Sequence, residues 1–278
     1  MQRTALVTGA TTGIGLEVAR ALAAAGFHVL LHGRSLEKAR RAASELGTGN
    51  HVTPVYADLA DQEQIRSLAE WVRSHHPPLD VLINNAGVWN SRQDLTTEGV
   101  ERTFAVNHLA PFLLTGLLRD HLAAAGRIIC VASDSHRQVR RMDFDNLNLD
   151  GHYHGLRSYA QSKLANVLFC YEYDRRKRDD TVICAVQPGL VQTDIGIKGN
   201  TWLHRLAWRV RRNMSGHKTA AEGADTVVFL ATVADAPPSG LYWDDRQPKR
   251  SFASSYEEAE ARRLWAVSER LTGFTYTW

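Results

Sequence analysis

An α/β fold, a single domain over 1–278 built on a doubly wound parallel sheet with helices on both faces, is what this sequence predicts. Three observations carry the prediction. Short apolar runs alternate with longer amphipathic stretches along the chain, the pattern of repeated strand and helix units. The chain opens on a strand, a glycine-rich turn and a helix in that order. Its 278 residues, 44% hydrophobic and 23% charged, suffice for one sizeable core but are short for two packed domains.

The first strand is Ala5-Leu6-Val7, followed by the turn Thr8-Gly9-Ala10-Thr11-Thr12-Gly13-Ile14-Gly15. Leu16, Ala19, Leu22 and Ala23 then recur at helical spacing until Gly26 stops the helix. In that setting Gly9 permits a tight turn, Gly13 lets backbone approach a diphosphate, and Gly15 lets the helix pack close to the strand. The positive helix end, with its free N–H groups, suits an anion. Next come a strand at 28–32, a helix at 35–46, a strand at 51–56 leading to Asp58, and a polar helix at 61–74. A strand at 81–83 precedes a long helix containing Asn107. A strand at 128–132, a helix containing Tyr159, a strand at 181–186, a helix at 219–230 and a short strand at 240–243 complete the series. Right-handed crossovers make the carboxyl ends of the strands the ligand edge. Gly9, Asp58, Asn85, Ser133 and Pro188 all follow strands, so they gather there.

Tyr159 and Lys163 stand four residues apart, on one face of a helix. A phenol holds its proton to about pH 10, and an ammonium one turn away favours the phenolate. Alone, the pair reads equally as a half-buried tyrosine beside a solvated lysine.

The motifs taken together resemble the classical short-chain dehydrogenases/reductases over nearly the whole chain. T-G-A-T-T-G-I-G is similar to that family's cofactor turn, Asn84-Asn85-Ala86-Gly87 to its N-N-A-G segment, and Asn107 to its helix asparagine. Ser133 stands where the family has its catalytic serine, Tyr159 and Lys163 match its Y-x-x-x-K, and Pro188-Gly189 through Thr193 resembles P-G-x-x-x-T. The resemblance implies a Rossmann-type fold and hydride transfer between a nicotinamide cofactor and a carbonyl/alcohol pair. It assigns Tyr159 as general acid/base, Lys163 to tune it and hold the nicotinamide ribose, Ser133 to bind the substrate oxygen, and Asn107 to hold a water leading to solvent. The implied cofactor contacts are Gly9, Thr11, Thr12, Gly13, Ile14, Arg34, Asp58, Leu59, Asn85, Ala86, Gly87, Tyr159, Lys163, Pro188, Val191 and Thr193, with no metal. The stretch from Ser133 into S-Y-A-Q-S-K-L-A-N-V-L-F is similar to the retinol-dehydrogenase and oxidoreductase-like branch, though Ala110 stands where glycine is usual. The helices holding Asn107 and Tyr159 commonly pair subunits in that family, so a homo-oligomer is possible.

Cofactor choice is argued from the end of the second strand. A carboxylate there would bond a ribose hydroxyl and repel a 2′-phosphate. This chain has Gly33, followed by Arg34, which can meet a phosphate with charge-assisted bonds, and Lys38 one turn later. NADP(H) is expected over NAD(H). Asp58-Leu59 resembles the family's segment that flanks the adenine, and Asp58 reads equally as a cap for the helix beginning near 61.

Residues 194–217 are expected to form a substrate lid, because the resemblance places the substrate loop just after Thr193. The helical spacing of Trp202, Leu203, Leu206 and Val210 fits a lid and equally a docking surface for a membrane or protein partner, or core packing. With a lid, a bulky, mostly apolar substrate is expected. His136, in the loop after Ser133, is left as a polar contact.

The formal charge of +3 is spread along the chain, and its basic runs accompany no nucleic-acid motif. No apolar stretch reaches the roughly 20 residues of a membrane span, and residues 1–4 run directly into the first strand. A cytoplasmic protein is expected. Cys130, Cys170 and Cys184 fall in apolar segments without metal-like spacing and are expected to be buried thiols. Two other functions are compatible with these motifs: a non-catalytic dinucleotide sensor, and a cofactor-assisted isomerase or cyclase.

Overall fold

The computed structural model describes residues 2–47, 51–189, 191 and 218–278. Among them eight strands form one sheet: β1 Thr4–Val7, β2 His28–Gly33, β3 Val52–Tyr56, β4 Leu79–Asn84, β5 Leu122–Val131, β6 Val182–Val186, β7 Leu241–Asp244 and β8 Gln247–Lys249. Their spatial order is β3-β2-β1-β4-β5-β6-β7-β8. All neighbours pair in parallel except β8, which turns back antiparallel on β7. The helices are α1 Gly13–Ala24, α2 Leu36–Leu46, α3 Gln62–His75, α4 Arg102–Phe104, α5 Ala110–Leu118, α6 Gly155–Arg176, α7 Ala220–Thr232 and α8 Glu258–Thr272.

Successive strand side chains point to opposite faces, so the apolar runs feed two cores at once. Ala5, Val7, Val29, Leu31, Val81 and Ile83 pack beneath Val18 and Leu22 of α1, Ala39 of α2 and Val227 of α7. The intervening Leu6, Leu30 and Leu82 pack against Ile65 and Leu68 of α3 and Leu113 of α5. On the same side Ile128 and Cys130 meet Val167 and Phe169 of α6 and Trp265 of α8. All three cysteines are buried and free, as expected. Strand order reverses between β1 and β4, which fixes the ligand crevice between the turns that follow those strands.

Two features depart from the sequence reading. The single long helix around Asn107 is three pieces: α4, a π-helical turn at Ala105–Leu109, and α5. Pro111, in the first turn of α5, has no N–H to give the carbonyl four residues back, which is that of Asn107. The second is the C-terminal end, where β8 and α8 had no expected counterpart. Ala261, Leu264 and Trp265 of α8 are buried, and the Tyr276 hydroxyl donates to the Phe112 carbonyl at 2.7 Å. Met142, Phe144 and Leu264 cover Leu164 and Leu168 on the outer face of α6. No helix among the described residues is long and apolar enough to cross a membrane.

Candidate active site

The glycine turn is held from three sides. Gly9 has φ +64°, and a Cβ there would stand 2.8 Å from the Ala86 Cα. The Thr8 hydroxyl donates to the Ile83 carbonyl at 3.2 Å and accepts from the N–H groups of Asn85 at 2.9 Å and Ala86 at 3.0 Å. Asn85 Nδ2 returns a bond to the Thr8 carbonyl at 2.8 Å. A Cβ on Gly15 would run into the Asn85 amide and the Gly9 carbonyl, so α1 packs at glycine distance. The Asn85 side chain therefore organises the turn.

The third support is His32. Its Nδ1 accepts the Gly9 N–H at 3.1 Å, which leaves Nε2 to donate to the Ala57 carbonyl at 3.1 Å. Burial pushes its pKa down to about 4, so the ring is neutral. Thr8 and His32 were not among the expected site residues. The available signals were a hydroxyl residue where β1 meets the turn and a histidine within an apolar strand.

The remaining cofactor candidates divide. Thr12 is the N-cap residue of α1. Ile14 lies in the core, and both it and Val191 approach Gly223 of α7. The Thr11 methyl stands 2.5 Å from where a Cβ on Gly33 would lie, so any side chain there requires Thr11 to shift. Arg34 is exposed and has no ion pair among the described residues. Asp58 accepts from the Ala60 N–H at 3.0 Å and lies 3.9 Å from Arg102. It does not cap α3. Asp61 does, accepting from the N–H groups of Glu63 and Gln64 at 3.0 and 3.2 Å. The Leu59 side chain is buried in the core beside α3, leaving only its main chain for a ligand. Gly87 follows Ala86, and Pro188 follows Gln187, whose N–H donates to the Trp243 carbonyl at 2.8 Å. Thr193 and the expected lid at 194–217 lie outside the described residues.

Ser133, Tyr159, Lys163 and Asn107 come together at the carboxyl end of β5. Ser133 closes the strand with extended backbone and caps the short helical turn Asp134–Gln138, its Oγ accepting the Ser135 N–H at 3.2 Å. The Ser133 hydroxyl donates to Ser135 Oγ at 3.2 Å and stands close enough to Tyr159 to act on its phenol. Lys163, 2% exposed, places Nζ 5.6 Å from the Tyr159 ring centroid and donates to the Val131 carbonyl at 2.7 Å. The expected depression of the phenol is not what the structure gives. Burial pushes Tyr159 up to about 12, with the Ser133 hydroxyl pulling the other way. Burial also pushes Lys163 down to about 8. Desolvation outweighs charge proximity because the ammonium is turned toward a carbonyl instead of the phenol oxygen.

Asn107 is fixed by its neighbours. Its side chain is consumed: Oδ1 accepts the Val88 N–H at 2.8 Å, and Nδ2 donates to the Val88 carbonyl at 3.0 Å and to Ser162 Oγ at 2.9 Å. Its main-chain carbonyl lacks an α-helical donor, because the residue four positions on is Pro111.

Comparison with known proteins agrees with this geometry. Residues 3–204 match the family model described as short chain dehydrogenase. The chain is 37% identical to human retinol dehydrogenase 13, covering 98% of this chain and 85% of that protein. A short chain dehydrogenase from Burkholderia cenocepacia J2315, solved in complex with NADP, superposes with a TM-score of 0.68 at 27% identity, covering 87% of this chain and 94% of the other. The angucycline C-6 ketoreductase LanV with bound NADP gives the same TM-score and identity over 86% and 92%.

Proposed function

We propose, from the premise that this chain belongs to the short chain dehydrogenase family, that it is an NADP(H)-dependent oxidoreductase. Its substrate is a carbonyl/alcohol pair on a bulky, mostly apolar small molecule. The observation that carries the reading is the buried Lys163 ammonium 5.6 Å from the Tyr159 ring, with Ser133 close enough to act on the phenol, at the same sheet edge as the glycine turn.

The residues present fit such a cofactor. Backbone crowding at Gly9 against Ala86 leaves a side-chain-free path to the N-terminus of α1, which suits a diphosphate. Gly33 and the exposed Arg34 suit a 2′-phosphate. When bound, the cofactor supplies or accepts the hydride. Lys163 has two N–H donors beyond the one given to Val131, which is what ribose hydroxyls require. Ser133 orients and polarises the substrate oxygen.

Tyr159 moves the proton. With its pKa pushed up to about 12 it keeps its proton at neutral pH, the form that donates in carbonyl reduction and is regenerated in alcohol oxidation. Replenishing the proton falls to Lys163 and a water on the Asn107 carbonyl. NADPH absorbance followed over a panel of bulky ketones, with Tyr159→Phe alongside, tests the proposal. Turnover by the wild type and its loss in the variant, with cofactor binding retained, is expected. Near-normal turnover by Tyr159→Phe would overturn it.

A further inference from the structure

We propose that His136 is a positioning residue for Ser133. It holds the catalytic turn against the C-terminal segment through one fixed ring tautomer, an inference that rests on the function proposed for Ser133.

The Ser133 carbonyl accepts two bonds from residue 136, from its main-chain N–H at 3.1 Å and from its ring Nδ1 at 2.7 Å. A carbonyl only accepts, so Nδ1 carries the hydrogen. Nε2 is then bare, and it accepts the Phe252 N–H at 3.0 Å. Both nitrogens are thus committed on a ring that is 0% exposed. The second anchor lies 116 positions along the chain, beyond β8. Only the Nδ1–H tautomer serves both contacts; the other would set N–H against N–H at Phe252 and lone pair against lone pair at Ser133.

The surroundings fix the rest of the turn. Tyr242 of β7 lies 5.2 Å from the ring, and its hydroxyl donates to Asp134 Oδ1 at 3.0 Å. Arg137 Nε donates to the same oxygen at 3.0 Å. The Asp134 N–H reaches the Gln187 amide oxygen at 3.4 Å. Among these contacts, His136 is the one that holds the Ser133 carbonyl. The Ser133 Oγ bonds the Ser135 N–H within the same turn and faces Tyr159, so a shift of the turn moves the oxygen-polarising group. Misplacement of a reacting group by about 1 Å can cost on the order of a hundredfold in rate.

Two variants separate positioning from packing. The amide nitrogen in His136→Asn stands near Nδ1 and can keep the bond to Ser133 while abandoning Phe252. The longer amide in His136→Gln reaches toward Phe252 and abandons Ser133. We expect His136→Asn to lose stability yet keep kcat within about threefold. His136→Gln should lose kcat at least about tenfold with the KM for NADPH unchanged. Equal kcat in both variants, or losses that track the folded fraction in each, would reduce His136 to a strut. Independent of turnover, 15N-histidine NMR should show the signal removed by His136→Asn as the Nδ1–H tautomer; an Nε2–H tautomer would sink the proposal. Failure of the wider functional reading would appear elsewhere, as retained turnover in Tyr159→Phe.

Discussion

Asn107 Nδ2 donates to Ser162 Oγ at 2.9 Å, and the Ser162 hydroxyl passes its own hydrogen to the Tyr159 carbonyl at 2.8 Å. This relay joins the π-helical turn to the helix that carries the proton donor. The same asparagine closes both main-chain groups of Val88. Asn107→Ala would leave that N–H and that carbonyl buried without partners, at a cost of about 2–4 kcal/mol. Ser162→Ala should cost about 1 kcal/mol. Urea unfolding of the two variants checks the order, and kcat is expected to fall in both.

Gly33 and Thr11 are linked by contact, because the Thr11 methyl stands 2.5 Å from where a Cβ at position 33 would lie. Gly33→Asp alone should fold poorly around the glycine turn. Combined with Thr11→Ser it should lower kcat/KM for NADPH at least about tenfold and raise that for NADH, since the carboxylate repels a 2′-phosphate and bonds a ribose hydroxyl. Arg34→Ala should weaken NADPH use about tenfold and leave NADH use unchanged. Steady-state kinetics with both cofactors measures each effect. Equal NADH and NADPH use by the wild type would contradict the assignment.

Lys163 gives the reaction an alkaline limb. Its pKa is pushed down to about 8, whereas Tyr159 keeps its proton to about 12. Carbonyl reduction should run level from pH 6 to about 7, fall to half near pH 8 and decline further above it as the ammonium is lost. Whatever activity Lys163→Arg retains should lack that decline, because a guanidinium does not deprotonate in this range. Initial rates across pH 6 to 10 provide the check.

His32 and His108 make the fold acid-sensitive. Burial holds them at about 4 and about 3, and His108 is enclosed by Phe104, Phe112 and Phe169. The unfolded chain binds protons at both sites near pH 6.5, whereas the folded chain resists until far lower. Stability is therefore whole above pH 6.5 and falls as pH drops from 6.5 toward 4, by about 3 kcal/mol for His32 alone. Urea midpoints at pH 7.5, 6 and 5 should decline in that order. His108→Gln, stable or not at pH 7.5, should show a shallower decline.

Much of this was legible in the sequence. The order of strands and helices from Thr4 to Trp243 follows from apolar periodicity, and the gathering of Gly9, Asn85 and Ser133 follows from crossover handedness. The π-helical turn at Asn107 is absent from the single long helix expected there, although a proline inside that helix, Pro111, signals a break. α8 owes its place to burial of Trp265 against α6, a contact between distant segments that local pattern does not carry.

By itself the sequence determined the fold class, the ligand edge and the residue types gathered there, because periodicity and glycine spacing are local properties of the backbone. Tertiary structure alone decided their electrostatic state and employment. Lys163 faces the Val131 carbonyl, so burial governs Tyr159. Asn107 spends its side chain on Val88 and Ser162, and His136 bridges Ser133 to Phe252. Desolvation and hydrogen-bond partnership depend on which chain segments, far apart in sequence, close around a group, and only the packed fold specifies them.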